Sequence, residues 1–432
     1  MNILFLADNF PPERNAQASR VFERACYWVR WGHKVTVITC CPNFPEGKVY
    51  AGYENQWRQV RELDGIRVVR VKTFIAPNAG KVLRILDFLS YMFGAFFAGL
   101  IESRPDVVVA TSPQFFAAVA GCALSLLRRV PFVLELSDLW PECIVAVGAM
   151  KRSAVFRWLE KLELFLYRRA ARVVALTSAF KGNLVSRGIH AGKIDVIING
   201  VDLQRYSPRP RDQDFARQWG IAEDDFVVGY IGTLGMSHGL ENVLRAAALV
   251  SDRQVRFIFV GAGAERAFLI AESERMALKN VAFIPAQTKE VIPNAWSLCN
   301  VALVHLKNLP LFRMVIPSKI FEAMGMGLPI LLAAPEGEGS RIVRREEAGL
   351  CVPAEDPQKL VTAVLFLKEN RLRLNQFSKR SCEAAPHYSR ERQARDMLAA
   401  LHAAVSEKRA LPVSAKPDEV NLATSSSTRR RL

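Results

Sequence analysis

Lys319 and Glu322 stand one helical turn apart in VIPSKIFEAMGMGLPILLAA (315–334), where Pro317 and Ser318 open a helix. A lysine in the first turn opposes the positive end of the helix dipole. Its presence there fits an anion held between the ammonium and the helix amides, with Glu322 on about the same face accepting hydrogen bonds from sugar hydroxyls. The competing reading is a solvated, charged helix face. Two glycine-bearing turns precede this stretch. GTLGMSHGLENVLRAAALV (232–250) presents Gly232, Thr233 and His238, and VGAGAER (260–266) presents Gly261 and Gly263. Backbone amides at such helix starts form anion sites, because glycine lets a phosphate approach and the dipole favours negative charge. In the first half, LELSDLWPEC (134–143) carries Asp138 to the end of an apolar run and follows it with Trp140 and Pro141. A carboxylate there can take a proton from a substrate hydroxyl or orient it. It can equally serve as a helix cap.

These residues need elements to hold them. NILFLAD, KVTVITC, IRVVRVK, DVVVATS, PFVLELS, RVVALTS and IDVIIN are seven apolar, β-rich runs before residue 200. Most are continuously apolar, as strands covered on both faces are. Helical stretches such as SRVFERACYWVRWG (19–32) lie between several of them. The pattern restarts after residue 225 with FVVGYIG, VRFIFVG, VAFIPA, VALVHL and PILLAA. The fold class is therefore α/β: two Rossmann-like, doubly wound parallel-sheet domains. The expected division is 1–203, completed by a C-terminal helix at about 389–405, and 204–388, with a disordered tail over 408–432. Open α/β sheets bind ligands at the carboxyl ends of their strands, so facing domains would merge two crevices into one cleft, with Asp138 at its mouth.

The 432 residues carry 58 Lys and Arg against 42 Asp and Glu, a net charge of +16. Such an excess suits anionic partners. Nine Lys/Arg against two Glu lie between 151 and 187. Next to the apolar segment RILDFLSYMFGAFFAGLI (84–101) they suggest a face resting on anionic lipid, although a solvated helix face explains the charges equally well. Segment 84–101 itself reads as a core helix, with a helix dipping into one leaflet or a spanning helix as alternatives. The eight cysteines are scattered and form no metal or disulfide pattern. MNILFLADNF lacks a basic leader and reads as a first strand, so a cytoplasmic location is expected. GMSHG (235–239) fits the G-x-S-x-G of serine hydrolases, with His305 or His387 as base, but GTL separates it from the strand. DQD (212–214) reads as surface charge rather than a metal site. A nucleic-acid-binding protein would need a basic stripe with interleaved aromatics, and none is visible.

Both halves resemble the retaining glycosyltransferases of family 4, with the two-domain architecture called GT-B. They are most similar to the subgroup of bacterial N-acetyl-L-fucosaminyltransferases of polysaccharide assembly. The resemblance is carried by PPERNAQASR (11–20), GHKVTVIT (32–39), PNFPEGKVYAGY (42–53), SDLWPE (137–142), INGVD (198–202), GTLGMSHGLENVL, IPSKIFEAMGMGLPI and GLCVPAEDPQKL (349–360). It implies metal-independent transfer, without a cofactor, of a sugar from a UDP-linked donor. The sugar would be an N-acetylated amino or 6-deoxyamino sugar, and the acceptor a polyprenyl-diphosphate-linked or saccharide molecule, at the inner face of the cell membrane. By that resemblance Lys319 neutralises the diphosphate, and Glu322 binds the ribose. Gly232, Thr233, His238, Gly261, Gly263 and Ser318 surround the donor, Asp138 acts near the reacting sugar, and Pro12, Arg20 and Trp140 belong to the acceptor side. The sequence departs from the family at Thr233 and His238, where cations are usual, and at Met314, which stands in for the first glutamate of an E-x7-E pair ending at Glu322. A neutral His238 would leave more of the charge to Lys319.

Overall fold

The computed structural model describes residues 1–13, 15–44, 46–75, 81–112, 114–142 and 153–410. The first part of the chain forms β1 (Asn2–Leu6), α1 (Ala16–Arg30), β2 (Lys34–Cys40), β3 (Arg58–Leu63), β4 (Ile66–Val71), α2 (Lys81–Ile101), β5 (Val107–Thr111), α3 (Phe115–Arg128), β6 (Phe132–Leu136), α4 (Ala154–Arg169), β7 (Arg172–Ala175), α5 (Ser178–Ser186) and β8 (Ile194–Val196). These strands make one eight-stranded sheet in the order β3-β4-β2-β1-β5-β6-β7-β8. The apolar runs are parallel neighbours covered on both faces, and only β3 runs antiparallel, against β4. Asn15 starts α1 by accepting the Ala18 amide at 2.8 Å. Helix α1 covers one face with Phe22, Ala25 and Trp28, while α2, α3 and α4 cover the other.

The second lobe contains α6 (Gln213–Gln218), β9 (Phe226–Ile231), α7 (Glu241–Leu249), β10 (Val255–Val260), α8 (Arg266–Arg275), β11 (Val281–Ile284), α9 (Ile292–Ser297), β12 (Val301–His305), α10 (Lys319–Gly325), β13 (Ile330–Ala333), α11 (Glu338–Arg345), β14 (Gly349–Val352), α12 (Pro357–Glu369) and α13 (Arg371–Ala384). Its six strands are all parallel, in the order β11-β10-β9-β12-β13-β14. The order reverses between β9 and β12, so the crevice expected of such sheets opens at their carboxyl ends. In the first sheet the reversal lies between β1 and β5.

The final helix, α14 (Arg390–Ala410), returns to the first lobe. Met397 and Leu401 join the core under α1, and the Trp28 indole N–H donates to the Ala394 carbonyl at 2.9 Å. Each fully buried apolar side chain of this kind contributes about 1.5–3 kcal/mol by removal from water, which fixes α14 to a lobe it joins last. The chain thus crosses between the lobes twice. The two crossings run together: Val201 N–H donates to Tyr388 O at 2.8 Å, and Arg390 N–H donates to Val201 O at 2.8 Å. A Cβ on Gly200 would lie 2.7 Å from the Ser389 carbonyl oxygen, so only glycine permits the approach. Residues 411–432 of the expected tail lie outside the described residues, and the helix before them runs to Ala410.

Helix α2 departs from a core helix. Tyr91, Ala95 and Ala98 face inward, but Phe93 is 56% exposed, Phe97 59% and Ile101 70%. By length and composition Leu83–Ile101 could cross a membrane, and only 22% of it is buried.

Candidate functional site

The two glycine turns of the second lobe are built against each other. Gly232 N–H donates to Val260 O at 2.8 Å, Leu234 N–H to Ala262 O at 2.9 Å, and Glu265 N–H to Leu234 O at 3.0 Å. A Cβ on Gly261 would sit 2.0 Å from the Gly232 oxygen, and one on Gly263 would sit 2.2 Å from the Leu234 oxygen. These two glycines therefore allow backbone to approach backbone. Gly232 does something different. At φ 138° its missing Cβ would stand 2.6 Å from the Lys319 Cε and 2.9 Å from its Nζ. The lysine side chain lies across the bare glycine, with its ammonium 4.8 Å from the centre of the Tyr230 ring. Tyr230 is fixed in turn by its hydroxyl, which donates to Thr233 O at 2.8 Å. Among the described residues no carboxylate pairs with Lys319 within 4 Å. Burial pulls its pKa down to about 8, against the pull of Glu322. Glu322 accepts the Trp296 indole N–H at 3.2 Å, and burial raises its pKa while Lys319 opposes the rise. Ser318 precedes α10 exposed, with no capping bond from its side chain. Thr233, in the turn after β9, is exposed as well.

His238 lies in a short helical turn, Met236–His238, and its ring packs edge-on against Tyr230 at 5.7 Å. Burial, with the Lys319 charge nearby, holds its pKa at about 3, so the ring is neutral. His305, at the end of β12, is 1% exposed and aims Nδ1 at the His238 carbonyl. That orientation turns one candidate base, His305, to a backbone oxygen rather than to Ser237, and the hydrolase reading of GMSHG finds no support. DQD is likewise structural: Asp212 caps α6 through the Phe215 amide at 3.0 Å, and Asp214 pairs with Arg217.

Across the cleft, Asp138 follows β6. Its backbone oxygen accepts the Trp140 amide at 3.0 Å, and its carboxylate makes no hydrogen bond among the described residues. Burial lifts its pKa to about 6, against the pull of Arg20. Trp140 stacks on Phe115 with centroids 4.3 Å apart and 15° between planes. Arg20, assigned to the acceptor side, is tied into the first lobe. It is 5% exposed, pairs through Nε with Glu135 at 3.3 Å, and donates to Ser137 and Thr111. Glu135 is also gripped by Arg24 through two bonds of 2.8 Å. Burial alone would raise the Glu135 pKa, but the two guanidiniums bring it to about 2. Pro12 lies in a loop tied down from both sides. Arg70 donates to Pro11 O, and Glu13 accepts the amides of Phe10, Asn43 and Phe44 at 2.9–3.3 Å.

Apart from Met314, which stood out only as a departure from the family, the sequence did not single out the residues that join the lobes. Glu23 on α1 pairs with Arg390 at 2.9 Å, Arg205 at 3.2 Å and Lys289 at 3.8 Å. Glu338 accepts the Ala179 amide at the start of α5, at 2.7 Å, and Met314 offers its carbonyl to Thr177 at 2.8 Å. Met314 and Val315 pack against the core of the first lobe, so the position usually held by a glutamate serves the closed interface here. None of these has a local signal, because each partner lies more than 100 residues away. The Glu322 carboxylate senses Glu23 and Arg390, and Arg20 senses Arg390 and Asp138, so the two halves of the site share one electrostatic neighbourhood.

Comparison with known proteins agrees with this geometry. Residues 15–200 match the model of a glycosyl transferase 4-like domain, and residues 211–383 match the glycosyl transferases group 1. The chain is 24% identical to a putative colanic acid biosynthesis glycosyl transferase, WcaI, of Escherichia coli K12, over 89% of this chain and 97% of that one. It is 27% identical to a GDP-mannose-dependent alpha-mannosyltransferase of Mycobacterium tuberculosis, over 88% and 92%. Among solved structures, HepE of Anabaena in complex with UDP superposes with a TM-score of 0.68 and 20% identity, over 93% of this chain and 100% of that one. Two matched domains in succession, on two parallel sheets that face a cleft, make this chain a GT-B glycosyltransferase of family 4.

Proposed function

We propose that the protein transfers a sugar, with retained anomeric configuration, from a UDP-linked donor to a lipid-linked or polysaccharide acceptor. The observation that carries this reading is Lys319, an ammonium with no carboxylate partner among the described residues, laid over Gly232 after the first strand of the second sheet. A diphosphate there meets a cation and the amides of a glycine turn, which stabilise the charge that develops as it leaves. Glu322, steadied by Trp296, accepts from ribose hydroxyls. Asp138 is ionised at neutral pH and orients the acceptor hydroxyl or takes its proton. The UDP complex of HepE supports the nucleotide. The GDP-mannose-dependent relative favours a second reading, in which the base is guanine. The sugar is proposed to be an N-acetylated amino or 6-deoxyamino sugar, and WcaI supports a place in polysaccharide assembly. In this reading neither a metal nor a cofactor takes part.

The acceptor is proposed to meet the enzyme at the inner face of the cell membrane. Phe93, Phe97 and Ile101 on α2 and Trp158 and Phe165 on α4 are exposed on one face of the first lobe. Arg157, Lys161, Arg168 and Arg169 are exposed along the same α4. An apolar surface edged with cations suits anionic lipid.

Calorimetry with UDP and GDP tests the donor site, since a nucleotide bound to the folded state also shifts the melting temperature. UDP should bind the wild type, and Lys319→Ala and Glu322→Ala should lose it while remaining folded. Retained affinity in both variants would remove those roles. Preference for GDP would select the second reading.

A further inference from the structure

The ladder between β9 and β12 is only two pairs long, Val228–Val301 and Gly229–Ala302, whereas β9 and β10 share six. Where the strands part, two histidines join them. The Nδ1 of His305 faces the carbonyl oxygen of His238, and the Nδ1 of His238 lies 3.4 Å from the carbonyl oxygen of His305. A carbonyl oxygen can only accept, so both contacts favour the proton on Nδ1. Both rings are held neutral, first by burial. In a neutral imidazole protonated at Nδ1, Nε2 bears a lone pair and no hydrogen. The two backbone segments are also held together. Lys307 N–H donates to Ser237 O at 3.0 Å, and Gly239 takes a left-handed φ of 58° with Lys307 and His305 packed against it. His238 Nε2 has no partner among the described residues, and its ring is only partly buried beside Lys319.

An acceptor atom in this place is ill suited to a diphosphate, whose oxygens also accept. It is suited to an O–H group. On a nucleotide-sugar held at Lys319 the O–H groups belong to the ribose, which falls to Glu322, and to the transferred sugar.

We propose that His238 reads the donor sugar: its Nε2 accepts a hydrogen bond from a hydroxyl of the transferred sugar, and His305 is the positioning residue that fixes the tautomer. This inference rests on the donor-site reading above. It turns a position that usually carries a cation for phosphate into one that selects the sugar.

Two measurements test it. The first is nuclear magnetic resonance of the wild-type protein with isotope-labelled histidine, where the His238 signals are identified by their loss in His238→Gln. The expected result at neutral pH is the neutral Nδ1–H tautomer; a protonated ring or the Nε2–H tautomer would overturn the proposal. The second is calorimetry of wild type and His238→Ala with UDP and with whichever of UDP-glucose, UDP-galactose and UDP-N-acetylglucosamine binds best. UDP affinity should be unchanged by the substitution, and affinity for the nucleotide-sugar should fall about tenfold, as for one lost hydrogen bond. Equal losses for both ligands would assign His238 to the diphosphate and sink the idea. A wild type that binds no nucleotide would instead overturn the donor site itself, and would be seen before any variant is made.

Discussion

Gly232 and Lys319 occupy one space: the Cβ that glycine lacks would stand 2.6 Å from the Cε of the lysine. The lysine therefore owes its conformation to a residue 87 positions earlier, at the first turn of the second sheet. Gly232→Ala should push the ammonium off the Tyr230 ring and strain a backbone at φ 138°. UDP affinity should fall by roughly 10- to 100-fold, the worth of one charge-assisted hydrogen bond, while the variant still melts cooperatively. Calorimetry and thermal unfolding read the two effects separately.

The Lys319 ammonium should make donor binding depend on pH. Its pKa in the empty site is about 8, because burial disfavours the charge. A bound diphosphate favours the protonated form, so nucleotide and proton bind together. UDP affinity should weaken as pH rises through 8, and binding just above that pH should take up protons. Calorimetry in two buffers of different ionisation enthalpy measures the uptake. Lys319→Arg, charged throughout, should abolish it.

Asp138 costs stability where it is ionised. Its folded pKa, about 6, lies above the ordinary 3.8, so the folded state holds the proton more tightly than the unfolded state. Stability is then lost as pH rises between those values and stays lost above them. Asp138→Asn should melt above the wild type at pH 7.5 and level with it at pH 4. Transfer should fall about 100-fold or more, with UDP affinity unchanged. The wild-type rate should climb through pH 6, and a variant as active as the wild type would leave Asp138 a structural role only.

The exposed aromatic residues of α2 predict membrane affinity. Phe93→Ser with Phe97→Ser should reduce co-flotation with vesicles rich in phosphatidylglycerol and leave UDP binding intact. Each cation near an anionic surface adds about 1 kcal/mol, so reversing Arg157, Lys161, Arg168 and Arg169 should weaken flotation most at low salt. Flotation unchanged by both sets would remove this face from the membrane.

Architecture was legible because parallel strands buried on both faces spell themselves as apolar runs, from Asn2–Leu6 to Ile330–Ala333. The edge strand Arg58–Leu63 escaped notice, since RQVREL is mostly exposed and pairs antiparallel at the rim. The placement of Lys319 and Glu322 at a helix start and of Asp138 after a strand was legible because such ends are local signals. What those residues touch was not. Gly261 and Gly263 read as phosphate turns, yet their missing side chains make room for carbonyls of the neighbouring turn. Arg20 was assigned by resemblance to the acceptor side, and its partner Glu135, from the centre of the sheet, left no local trace. His305 stood out only as a hydrolase base, because an exchange of ring and carbonyl between two loops leaves no spacing to find.

The paired crossings at Val201 and Ser389 set how the lobes can move. Since both links lie side by side, they form one joint, and the ties from Glu338 to Ala179 and from Met314 to Thr177 hold the lobes together away from it. Any opening at that joint would have to break those ties first, so the contacts of Thr177 and Ala179 act as the latch of the closed form.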